Sequence, residues 1–131
     1  MVLRLQKLNE YEEQCIIFEW AKINEKKYNC LKYMFSTLNG VRLTIGQAKK
    51  AKKSGNKKGV PDIILPYNNG SRSGLYIELK TMTGNASREQ KDYIEYLKSQ
   101  NYHAEIVSGH KKSIELIEEY INGQERWRKT Y

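Results

Sequence analysis

The sequence predicts an α/β fold, a small mixed β-sheet flanked by helices, and three observations carry that expectation. Helix-period and strand-period segments alternate along the chain. Two apolar strands, "DIILP" and "LYIELK", are joined by the turn-rich "PYNNGSRSG". A further strand-like run, "HAEIVSG", lies between two amphipathic helical patterns. With 131 residues, the chain suits one domain around one hydrophobic core.

Taken in order, residues from about Glu10 to Asn24 read as a helix, because Asn9 is a suitable N-cap and Glu12 completes a capping box with it. "CLKYMFSTLNG" follows, aromatic and apolar enough for a strand closed by Asn39-Gly40. The lysine-rich stretch after it contains Gly46, Gly55 and Gly59 and reads as a loop with at most a short helix. "DIILP" is a continuous apolar run and "LYIELK" alternates; the polar gap between them is of hairpin type. Ser87 to about Gln100 is helical, with Ser87 as N-cap and Gln90 at the third helical position. After the strand "HAEIVSG", "KKSIELIEEYI" forms a last helix with Ile114, Ile117 and Ile121 on one stripe.

Composition narrows the partners. The chain carries 23 Lys and Arg against 15 Asp and Glu, a net charge of +8. The excess is clustered: six lysines, Lys49, Lys50, Lys52, Lys53, Lys57 and Lys58, fall in one ten-residue run, and the tail adds Arg126, Arg128 and Lys129 around Trp127 and Tyr131. Such clustering suits a polyanion, since phosphate neutralisation releases counterions and supplies affinity independent of sequence. No apolar run approaches the roughly 18 residues that a membrane span needs, and the charged start is unlike a signal peptide, so a soluble intracellular protein is expected. Cys15 and Cys30 form no CxxC pair and read as buried thiols, while His103 and His110 flank a strand and read as solvated or loosely packed.

The chemistry concentrates on the two central strands. Strand geometry puts Tyr76, Glu78 and Lys80 on one face of "LYIELK" and Leu75, Ile77 and Leu79 on the other. If "DIILP" pairs with it as a hairpin partner, Asp62 comes to lie near Glu78. Two close carboxylates repel unless neutralised, and a divalent cation does that directly. Oxygen ligands without a His or Cys cluster favour Mg²⁺ or Mn²⁺ over Zn²⁺. Two helix-borne residues stand out by spacing: Glu13 lies over Ile16, Ile17 and Trp20 in an apolar stripe, and Gln90 shares a stripe with Tyr93, Ile94 and Leu97.

"GVPDIILP", "GLYIELK" and the downstream "SREQKDYIEYLKSQNYHAEIVSG" resemble the PD-(D/E)XK nuclease superfamily, and more closely its VRR-NUC branch, the virus-type replication-repair nucleases. "EYEEQCIIFEWAKI" is similar to that family's first helix, and "LNG" precedes the basic stretch as it does there. The resemblance runs from about Glu10 to Ile121 and implies a restriction-endonuclease-like core in a single stand-alone nuclease domain, residues 1–131, of the kind carried by phages and bacteria and acting in the cytoplasm. It implies that Asp62 and Glu78 bind a catalytic Mg²⁺ or Mn²⁺ with the main-chain carbonyl of Leu79, and that Lys80 sits beside the attacking water or scissile phosphate. By the same resemblance Glu13 holds a metal-bound water and Gln90 completes the site. The implied activity is structure-selective cleavage of branched DNA such as a four-way junction, by a homodimer, with the lysine run on the DNA backbone. A non-catalytic DNA-binding or assembly module that keeps the fold, and a sequence-specific restriction-type endonuclease, remain open alternatives.

Overall fold

The computed structural model describes residues 7–37, 42–81 and 84–124. The Asn39-Gly40 turn and the basic tail around Trp127 lie outside them. Within them, four strands form one mixed sheet in the spatial order β1 (Phe35–Ser36), β2 (Ile63–Leu65), β3 (Leu75–Lys80), β4 (His103–Ser108). β1 and β3 each run antiparallel to β2, whereas β3 and β4 are parallel. A helix between two parallel strands is what their connection requires, and α3 (Arg88–Ser99) supplies it.

Helices cover both faces of the sheet. On one, α1 (Glu10–Ile23) and α4 (His110–Ile121) contribute Ile17, Ala21, Leu116, Ile117 and Tyr120, which close over Ile63, Leu65, Leu75, Ile77, Leu79 and Val107. On the other, Ile94 and Leu97 of α3 pack on Ala104 and Ile106, with Tyr76 and Tyr102 at the edge. The alternation of "LYIELK" is therefore used in both directions, since Leu75, Ile77 and Leu79 enter the larger core while Tyr76 enters the smaller one. Each fully buried Leu or Ile contributes about 1.5–3 kcal/mol through the area it removes from water.

Three expectations need correction. "CLKYMFSTLNG" is mostly not a strand: Asn29–Tyr33 forms a 3₁₀ helix and only Phe35–Ser36 pairs with β2. Its buried residues are Leu31 and Met34, three apart, which is the spacing a 3₁₀ turn places on one side. The short helix allowed for in the lysine-rich stretch is present as α2, Ile45–Lys53, started by a Thr44–Gln47 capping box, whereas the cysteines depart from the buried thiols expected. In α4 the buried stripe is Ser113, Leu116, Ile117 and Tyr120, with Ile114 and Ile121 only partly buried beside it. Cys15 and Cys30 are free and half-buried.

Tyr120 ties the end of α4 to the β2–β3 connection. Its buried hydroxyl donates to the carbonyl of Tyr67 at 2.6 Å, with the carbonyl of Arg72 at 3.2 Å, and Asn69 Nδ2 donates to the Tyr120 carbonyl at 2.9 Å. Tyr120→Phe leaves the packing volume nearly intact and strips a donor from buried carbonyls. It should therefore destabilise the protein by about 1–3 kcal/mol in urea denaturation, whereas an unchanged midpoint would mean that water satisfies those carbonyls.

Candidate active site

The C-terminal end of β3 and the entry to β2 meet at one end of the sheet. Pro61 biases the residue before it toward extended backbone, and the chain bends at Asp62 into β2. Thr37, just past β1, fixes it there: its N–H donates to the Asp62 carbonyl at 2.9 Å and its hydroxyl to the Pro61 carbonyl at 3.1 Å. Upstream, Gly59 has φ of +88°, and a Cβ there would lie 2.7 Å from the Glu89 carbonyl oxygen. Only glycine fits, so the approach to β2 lies directly on the first turn of α3.

The Ile63–Ile77 pairing, continued by one residue, sets Asp62 opposite Glu78. Both are buried, Asp62 8 % exposed and Glu78 2 %. Asp62 Oδ2 accepts the Leu79 N–H at 2.8 Å, which locks the carboxylate against β3. Glu78 Oε2 lies 3.7 Å from Lys80 Nζ, while Glu78 Oε1 is buried with no hydrogen-bond partner among the described residues. Burial above all, then the adjacent Asp62 as hydrogen-bond partner and as negative charge, pushes the Glu78 carboxyl up to about 9; Lys80 opposes that rise and Glu10 adds to it.

The remaining expected residues divide. Glu13 has His110 as its hydrogen-bond partner. Its Oε2 accepts the His110 N–H at 2.6 Å and contacts His110 Nδ1 at the start of α4. The acid of α1 whose charge reaches the pair is Glu10, one turn earlier. Partial desolvation raises its carboxyl, Lys80 lowers it, and Asp62 raises it again. The spacing argument singled out Glu13 and did not extend one turn back along the same face, where Glu10 lies seven residues before Ile17.

Gln90 does occupy the third position of α3, where its side-chain oxygen accepts the Ser87 N–H at 2.8 Å. It also lines a cleft of about 230 Å³ with Lys58, Gly59, Ser87 and Glu89. Lys49, Lys50, Lys52 and Lys53 are exposed on α2, and Lys57 and Lys58 are exposed in the turn after it. Neither histidine is solvated as expected: His103 is buried with Nε2 2.9 Å from Glu105 Oε1, and His110 is held by Glu13.

The residues fit a hard divalent cation. Two carboxylates lie side by side in a buried place, and among the described residues one of them presents an oxygen without a hydrogen-bond partner. Among the described residues no three His, Cys, Asp or Glu side chains form a ready-made cluster. Any ion would therefore draw on main-chain oxygen and water beside the two carboxylates, as Mg²⁺ commonly does.

A family model for the VRR-NUC domain matches residues 4–111. Among solved structures, a protein described as a VRR_NUC domain protein superposes with a TM-score of 0.76 at 29% identity, over 92% of this chain and 94% of that one. No curated protein matches the sequence. Among the described residues no helix is long and apolar enough to cross a membrane. The match covers Asp62, Glu78 and Lys80 together with α1 and α3, and the chain belongs to the VRR-NUC family, whose fold is of the nuclease, DNA-processing type.

Proposed function

We propose that the protein is a Mg²⁺- or Mn²⁺-dependent DNA endonuclease that hydrolyses phosphodiester bonds at the end of β3. The observation that carries this reading is the buried Glu78 beside Asp62, its Oε1 without a hydrogen-bond partner among the described residues, a crowding of carboxylates that a proton or a bound cation relieves. Asp62, Glu78 and the Leu79 carbonyl would hold the ion. Bound there, it would supply the Lewis acidity that activates water for attack and offsets charge on the leaving oxygen.

The chain's own groups have separate tasks. Lys80, on the strand face of Glu78, would meet the phosphate or accept the proton released by the nucleophile. Glu10 takes over the water-orienting task expected of Glu13, and the amide nitrogen of Gln90, with Lys58, would meet the phosphate from α3. From Arg42 to Pro61 the sequence has no acidic residue, so the exposed lysines of α2 and its following turn would meet the DNA backbone without a neighbouring carboxylate in that segment. The resemblance favours branched DNA such as a four-way junction, cut by a homodimer that presents one site to each of two strands.

The deciding experiment compares four-way junction, flap, linear duplex and single-stranded DNA with Mg²⁺, with Mn²⁺ and in EDTA. Cleavage should require the metal and favour branched substrates, and Asp62→Asn, Glu78→Gln and Lys80→Ala should each slow single-turnover cutting by about 10²-fold or more. Undiminished cutting in chelator would remove the metal from the mechanism.

In the metal-free protein the raised Glu78 carboxyl has a consequence for stability. Between its ordinary value of 4.5 and about 9 the folded chain keeps a proton that the unfolded chain has released. This group's contribution to stability is therefore complete at low pH and falls as pH rises through that window. Glu78→Gln should flatten the slope and raise Tm most at alkaline pH in EDTA. An equally steep profile in that variant would assign the pH dependence to other groups.

Changing Lys49, Lys50, Lys52 and Lys53 to Ala should weaken DNA binding without altering the cleavage step. The slope of log affinity against log salt should fall by about 0.9 for each duplex phosphate that is no longer neutralised. A slope equal to wild type would show that α2 stands clear of the DNA.

A further inference from the structure

α4 begins in an unusual way. Its N-cap is Gly109, with φ of +83° and no side chain to receive the first free N–H groups. Such orphan donors normally find a Ser, Thr, Asp or Asn at the cap. Here the acceptor comes from a different helix, since Glu13 of α1 takes both the His110 N–H and the His110 ring nitrogen on one carboxylate oxygen. Glu13 and His110 are largely buried, 15% and 24% exposed.

The same turn reaches β3. The Gly109 N–H donates to the Lys80 carbonyl at 3.0 Å, and the Gly109 carbonyl accepts the Ser113 hydroxyl at 2.8 Å. Ser108, the residue before, is the register partner of Lys80. One chain of contacts therefore runs from Glu13 through His110 and Gly109 to the backbone of Lys80, whose amine lies 3.7 Å from Glu78. Within that chain it is Lys80 that reaches Glu78.

We infer that the Glu13–His110 pair is a positioning clamp for Lys80: α1 holds the first turn of α4, and that turn holds the end of β3 that carries the lysine. Glu13 and His110 act through Gly109 and not on the substrate. The backbone half of the clamp, the His110 N–H donated to Glu13, is independent of the imidazole. Its place in catalysis rests on the nuclease reading; its place in the structure does not.

The test uses the full chain, with single-turnover cleavage in Mn²⁺ at saturating branched DNA, DNA affinity, thermal stability and amide hydrogen exchange. His110→Ala and Glu13→Ala should each lower the cleavage rate by about tenfold or more, the scale of a small misplacement of a reacting group, while DNA affinity stays within about twofold. His110→Asn, which keeps a donor near the Nδ1 position, should recover much of the rate. Ser113→Ala is the control, because it loosens the first turn of α4 without breaking the Glu13–His110 contact. It should lower stability with little effect on the rate. His110→Ala cutting at wild-type rate would overturn the proposal, as would an equal loss of rate in Ser113→Ala at matched stability. If wild type does not cut any DNA in Mn²⁺, the nuclease reading fails, and exchange at the Gly109 and Leu79 amides decides the clamp alone. Faster exchange in His110→Ala and Glu13→Ala than in Ser113→Ala sustains it, and unchanged exchange removes it.

Discussion

The enforced closeness of Asp62 and Glu78 is the constraint around which the rest of the molecule is arranged. Left to themselves two carboxylates separate, and here they cannot. The antiparallel register of β2 and β3 sets them opposite one another, and the Leu79 N–H pins Asp62 from one side while Thr37 fixes its backbone from the other. Burial and the adjacent Asp62 push the Glu78 carboxyl up to about 9 and so favour its neutral form, with Lys80 opposing that rise. Such a pair is locally destabilising, and the larger core, with Ile63, Ile77, Leu79 and Ile17 among its members, is what the fold sets against that cost.

The topology then decides which other groups arrive at this end of the sheet. β3 and β4 are parallel, so the C-terminal ends of both strands and the first turns of the helices around them, α1 included, gather near one another. Helix N-termini tolerate acids and favour anions, and three acids, Glu10, Glu12 and Glu13, occupy the first turn of α1. Lys80 is the cation set against these acids, while a run of exposed lysines lies on α2 and the turn after it. Acids gathered at one point and exposed lysines on another element are what a metal-assisted reaction on a polyanion requires: the carboxylates retain a cation while the lysines overcome their repulsion of phosphate.

Much of this was legible in the sequence. The 3.6-residue and two-residue periods marked α1, α3, β3 and β4, and the hairpin-length gap before "GLYIELK" was enough to pair Asp62 with Glu78. What escaped lies where periodicity carries no information. The 3₁₀ helix at Asn29–Tyr33 is too short to establish a period, and its aromatic content resembles a strand. α2, allowed for only as a short helix within a loop, buries none of its residues, so it has no apolar stripe to betray it and is legible only through its Thr44–Gln47 cap. Glu13 drew notice as a carboxylate in an apolar stripe, but its partner, His110, is 97 residues away in sequence and no local pattern links them.

That distant partnership has a structural reason. To donate its N–H to Lys80 and still start a helix, residue 109 turns through positive φ, where Ser, Thr or Asp would be strained. The residue best placed to cap α4 is thus barred from carrying a capping side chain, and the acceptor must come from a neighbouring element. α1 provides it from the turn that also carries Glu10, three residues earlier and on the same side of the helix. One helix therefore delivers a carboxylate toward Asp62 and Glu78 and another to the start of α4, so docking of α1 completes the site and fixes the end of β3 in a single step. An opening of α1 that broke its packing through Ile17 and Ala21 would withdraw both together, which makes assembly of the acidic site cooperative with assembly of the larger core.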